Sequence, residues 1–135
     1  SSEIWLYVIH SNNGELIHLL EFYDIKPEDD SYVKCFEEAI KCHHNNLAIY
    51  IYDNLMIQNI DKKHENDEKV IEFSLKYTNY NFFPKDLTNI VKNNTFFYLC
   101  YFDYLNIVKN LLKIKKKDTR LFERKYSTKI KTINI

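Results

Sequence analysis

One glycine and two prolines in 135 residues constrain this chain more than any other feature. Tight β-hairpins need residues that accept positive φ, glycine above all. A sandwich or barrel needs many such turns, so all-β architectures are excluded. Phosphate-cradling loops need two or three glycines within a few residues, and the single glycine is Gly14. Neither a P-loop nor a dinucleotide fingerprint can therefore exist. What remains is an all-α domain. The length is that of one domain and allows roughly two thirds of the surface to be buried without disulfide staples.

Asn (15), Lys (17), Ile (16) and Tyr (11) dominate, while alanine occurs only at Ala39 and Ala48. This bias reads as the imprint of an A/T-rich genome, so spacing must outweigh residue identity when repeats are sought. Cys35, Cys42 and Cys100 are an odd number without regular spacing, and no basic, apolar, small-residue leader opens the chain. A reducing, intracellular setting is expected, cytoplasmic or nuclear. The longest apolar stretch, Thr95 to Leu105, is interrupted by Asp103 and falls short of the ~18 to 20 residues of a membrane span. The opening Ser1-Ser2 suggests an excerpt of a longer protein. Charge is zero overall but divided: residues 113–135 hold nine basic and two acidic side chains, a net +7, which leaves −7 on residues 1–112.

Apolar periodicity predicts short helices. Ile4, Trp5, Val8 and Ile9 mark one, broken at Ser11-Asn12-Asn13-Gly14. Leu16, Ile17, Leu19, Leu20 and Tyr23 mark a return helix with an Asn cap and Glu15 in its first turn. After a polar loop holding Pro27, Asp29, Asp30 or Ser31 can cap a third helix, whose stripe is Tyr32, Val33, Phe36, Ala39 and Ile40. A turn at His43 to Asn46 leads to Leu47, Ala48, Tyr50, Ile51 and Leu55. Val70, Ile71, Ser74 and Leu75 mark a further helix, and a short one is expected around Leu87 to Val91. The last pair is Phe96, Phe97, Leu99 and Cys100, then Leu105, Ile107, Val108, Leu111 and Leu112, after which the pattern fades.

Isolated helices under ~12 to 15 residues are marginal in water, so these must stack. Leu16, Leu47 and Ile107 follow equivalent turns at separations of 31 and 60, a period of stacked helix hairpins, with a degenerate unit implied between Asn59 and Lys92. At these residues the chain resembles ankyrin repeats: Glu15 to Glu21 and Leu105 to Leu112 are similar to the family's second helix, and Thr95-Phe96-Phe97-Tyr98-Leu99-Cys100 stands where a Thr-Pro-Leu-His-type opening stands. Ile4 to Asn13 and Cys35 to Asn45 more closely resemble the ankyrin-associated domain of unknown function of large protist protein families. The resemblance covers residues 3 to about 114. In it the turn glycine is replaced by Asn12, His43 and roughly Asp103, and the helix-start proline is absent. It implies a solenoid of about four partly degenerate repeats over residues 1–114 and protein recognition without catalysis; residues 115–135, outside it, read from their charge as a basic tail that is poorly ordered or an atypical cap.

Reactive constellations weigh less than this scaffold. Cys35, Cys42, His43 and His44 are soft donors, but i, i+7 cysteines on a helix lie roughly 10 Å apart, too far for one ion. They read instead as packed thiols and helix-end histidines. His10 and His18 flank the first turn without a carboxylate or cysteine converging on them by sequence. A Cys–His nucleophile would need an oxyanion site usually built from Gly-rich turns. Glu37-Glu38 and Glu65 to Glu72 read as solvated faces, and most Tyr and Phe fall on core stripes. No catalytic residue, metal, cofactor or small-molecule substrate is expected. The expected function is a protein-interaction scaffold, with Tyr7, His10, Glu38 and Lys41 placed by repeat register on the partner-binding face. Ranked below it is nucleic-acid binding through Lys113 to Lys131.

Overall fold

A computed structural model describes residues 3–28, 31–56, 62–84 and 94–126, with side chains described to residue 117. Every regular element among them is helical. They are α1 (Glu3–Ser11), α2 (Gly14–Phe22), α3 (Val33–Lys41), α4 (Asn45–Tyr50) running on into a π-helical turn (Ile51–Met56), α5 (Lys63–Lys76), a 3-10 turn (Tyr80–Phe82), α6 (Thr95–Tyr101) and α7 (Leu105–Tyr126). The predicted Leu87–Val91 helix lies outside the described residues. No helix among the described residues is long and apolar enough to cross a membrane. The chain divides into two compact units, residues 1–95 and 96–135.

In the first unit α1 packs on α3 and α3 on α5. Contacts near both ends show that α1 and α3 run parallel. At the start, Trp5 meets Tyr32 edge to face at 5.2 Å; at the finish, His10 meets Glu38. The finish of α5 likewise lies beside that of α3, because Tyr77 and Lys76 reach Glu37. The core follows most of the predicted stripes: Trp5, Val8 and Ile9 from α1 and Phe36, Ala39 and Ile40 from α3 are buried together with Ile17, Leu20, Leu47, Ala48 and Ile51, but α5 sends in Phe73, outside its expected stripe, while Val70 and Ile71 are half-buried and Ile4 is exposed. Phe36 has no exposed surface and its ring lies 6.1 Å from that of Phe73. Trp5 caps the layer by donating its indole N–H to the Ile25 carbonyl at 2.8 Å.

Five helices end in one device. Asn12, Asp24, His43, Thr78 and Asp103 all adopt left-handed φ, between 54° and 63°, and their N–H groups donate back to Ile9, Glu21, Ile40, Leu75 and Cys100. At the last four, the next residue closes the longer loop, from Ile25 to Leu20, His44 to Ala39, Asn79 to Ser74 and Tyr104 to Leu99, satisfying carbonyls a helix end would otherwise orphan. Three of these five residues are those expected to replace the turn glycine. Asp24 and Thr78 were missed, and Thr78 places the third parallel helix, α5, inside the gap where a degenerate unit was expected. After α5 the described residues of that unit hold the 3-10 turn Tyr80–Phe82. Gly14 itself opens α2 with negative φ and open space around its Cα, so the bend does not depend on it.

Local expectations divide. Asn13 caps α2 as expected, its side chain accepting from the Glu15 N–H at 3.0 Å. The N-cap of α3 is instead Tyr32 in a left-handed conformation, and Ser31 reaches the Val33 N–H only at 3.4 Å. Helix α2 buries Ile17 and Leu20 but exposes Leu16, Leu19, Phe22 and Tyr23, so its stripe is wider than the face it packs. The aromatic residues are less uniformly core than expected, with Tyr7, Tyr80, Phe97 and Tyr101 also exposed.

In the second unit α6 and α7 form a hairpin around Asp103, with Leu99 and Leu111 buried. Helix α7 continues to Tyr126, past the point where the apolar pattern fades. Lys, Arg and Leu are good helix formers, the segment holds neither glycine nor proline, and Ile114 and Leu121 continue the spacing of Ile107 and Leu111, so the helix runs on beyond Leu112.

Candidate functional site

The parallel arrangement of α1 and α3 sets their last turns side by side. Buried Ile9 and Ile40 accept from the equivalent turn residues Asn12 and His43, which brings the next residues outward at the same level. His10 Nδ1 lies 3.2 Å from Glu38 Oε1. Cys42 follows Glu38 by four residues, on the same face of the helix end, and its Sγ is 3.4 Å from both Glu38 Oε1 and His10 Nδ1. Lys41 Nζ stands 3.9 Å from the other carboxylate oxygen, Oε2. His44 Nε2–H donates to the His10 carbonyl at 3.1 Å, closing the group from beneath.

Glu38 Oε1 is the focus of this network, accepting from the thiol of Cys42 and, in the tautomer that carries the Nδ1 proton, from His10. Burial together with the neighbouring carboxylate raises the Cys42 pKa above the ordinary thiol value. The site is wet on one side, since the His10 side chain is 70% exposed and that of Glu38 only 21%.

Of the four residues placed on the binding face by register, the structure brings His10, Glu38 and Lys41 into one network. Tyr7, 73% exposed, lies nearly one turn earlier on α1. The reading that no carboxylate or cysteine converges on His10 is corrected: Glu38 and Cys42 do so from α3, 28 and 32 residues away. Glu21 also approaches His18, at 3.1 Å. Of the paired cysteines, Cys35 is buried as a packed thiol whereas Cys42 is half-buried among polar groups, so the two do different things. Aligning Asn12 with His43 in the sequence would have set His10 beside Lys41, but which donor atoms meet depends on the lateral spacing of two helices, and a linear pattern does not carry that.

A second polar feature lies at the opposite side of α3. The π-helical turn shifts Tyr52 so that its ring meets Phe36 and its hydroxyl donates to Asp67 of α5. Both line a largely apolar groove of about 380 Å³ with Ile49, Val70, Ile71 and Phe82. Burial, then the bond to Asp67 and the charges of Asp67 and Asp53, push the Tyr52 pKa well above the ordinary phenol value.

No protein-family model, curated protein or solved structure matches the chain.

Proposed function

We infer that the chain is a protein-interaction module built from ankyrin-like helix hairpins, a scaffold that displays side chains and carries out no catalysis. The observation that carries this reading is the recurrence of one unit. Helices α1, α3 and α5 pack in sequence, and their closing turns at Asn12, His43 and Thr78 fall 31 and 35 residues apart. In that register His10 is equivalent to Lys41 and Lys76, and Tyr7 to Glu38, a row that ends at buried Phe73 in the third unit. Neighbouring units therefore offer a row of exposed or half-exposed side chains on a shared backbone frame. Stacked repeats bind partners with such rows, and rigid parallel helices hold them at little entropic cost on binding.

The test is retention of a cross-linked partner from cell extract by the wild type and by a Tyr7→Ala/Lys41→Glu double variant, two exposed positions whose loss leaves the core intact. Retention is expected to fall to background in the variant while its helical circular dichroism is unchanged. Equal retention by both proteins refutes the assignment of this face.

One observation favours a second reading. Lys113, Lys115, Lys116 and Lys117 are exposed on a continuous helix, a basic strip suited to phosphate contacts. Binding of a nucleic-acid duplex that weakens steeply with salt, and disappears when these four lysines become glutamine, would favour it over the scaffold reading.

A further inference from the structure

We propose that His10, Glu38 and Cys42 form a three-ligand site for a borderline divalent transition metal, zinc first. The proposal stands on geometry and donor chemistry and does not depend on any protein partner. One donor each of N, O and S is a set that zinc accepts. With bond lengths of about 2.0 to 2.1 Å to nitrogen, about 2.0 Å to oxygen and about 2.3 Å to sulfur, a tetrahedron has edges of about 3.3 Å from N to O and about 3.5 Å for the two edges to S. The structure has 3.2 Å from His10 Nδ1 to Glu38 Oε1, and 3.4 Å from Cys42 Sγ to each of them. Three ligand atoms thus already lie at the separations of one face of a zinc tetrahedron.

The frame that holds them is fixed independently of a metal. The Cys42 N–H donates to the Glu38 carbonyl at 3.0 Å, and the left-handed turn at His43 locks the cysteine at the helix end. His44 anchors the His10 backbone, and Lys41 engages Glu38 through Oε2, leaving Oε1 for the ion. Without a metal, protons join the three donors. On binding, the thiol proton leaves to solvent and the imidazole proton sits on Nε2, so that Nδ1 offers its lone pair. Three protein ligands and an exposed histidine leave the fourth position to water, the arrangement of an open site rather than a closed structural one.

The test uses the full chain stripped with chelator, titrated with Co²⁺ and then with Zn²⁺. A thiolate-to-cobalt charge-transfer band that saturates at one equivalent and is abolished by zinc is expected. Cys42→Ser should remove the band. His10→Ala should lower the affinity by at least ~10-fold, the lower end of what even outer-shell changes cost. Cys100→Ser should change neither. Should a ligand variant lose its helical circular dichroism, the wild type still decides: zinc must protect Cys42 from alkylation and leave Cys100 reactive. Absence of the band in the wild type, its survival in Cys42→Ser, or alkylation of Cys42 at an unchanged rate with zinc present overturns the site.

Discussion

The two junctions in the first unit share a backbone plan and differ in what they do with it. Where α1 meets α3, the turn side chain reaching back is His44, bound to the His10 carbonyl amid an exposed, titratable group. Where α3 meets α5, the equivalent side chain is Asn79. It is 1% exposed and donates to both the Ile40 carbonyl at 3.0 Å and Asn45 Oδ1 at 2.8 Å. The same position serves as a rim for chemistry in one place and as an internal staple in the other. Burial decides between them: a neutral amide satisfied on both sides tolerates the interior, whereas a cluster of imidazole, thiol and carboxylate requires water nearby.

Phe36 is fully buried on α3, the helix both junctions share, so it offers the largest effect. Phe36→Ala should cost about 3 to 5 kcal/mol, read from urea melts, and should loosen both at once. A loss confined to one junction's hydrogen-exchange protection would show that the junctions fold independently. Asn79→Ala should come next, destabilising by about 1 to 3 kcal/mol because buried groups lose their partner. His44→Ala, on the wet side, should cost about 0.5 to 1.5 kcal/mol. Equal losses would contradict the contrast in burial.

A change in the opposite direction is expected at the turns. Thr78 is β-branched and held at φ 55°, a conformation that costs L residues about 1 to 2 kcal/mol. Thr78→Gly should therefore stabilise by about 1 kcal/mol, while Asn12→Gly, replacing a residue that tolerates the region, should be near neutral. The smallest effect is alkaline. The folded pKa of Tyr52 is raised above the unfolded value, so its contribution is complete below the ordinary phenol pKa of ~10 and is lost as pH rises beyond it. Tyr52→Phe should flatten the stability profile above about pH 10, and parallel profiles would remove Tyr52 as the cause.

Much of the scaffold was legible. The stripe of Phe36, Ala39 and Ile40 identified α3 and its buried face, and polar Asn12, His43 and Asp103 betrayed their turns because such residues, or glycine, are expected after a helix. Thr78 was silent because a β-branched residue does not announce a left-handed bend. The π-helical turn at Ile51–Met56 was equally hidden, since one apolar residue more or less in a turn leaves the stripe almost unaltered. The His10, Glu38 and Cys42 group was hidden for another reason. Its members belong to different helices, and only the lateral packing of buried Ile9 beside Ile40 brings their outer neighbours together.

The backward reach of the turns gives the array a direction. His44 and Asn79 each supply a donor to the unit before them. Shortening such a stack from its trailing side strips donors and bares carbonyls at the layer left behind, which solvent can serve. Shortening it from the leading side strands an amide or imidazole designed for a vanished acceptor. Excision experiments on helix arrays of this kind should accordingly be asymmetric, with cuts made from the back producing the better-behaved fragments.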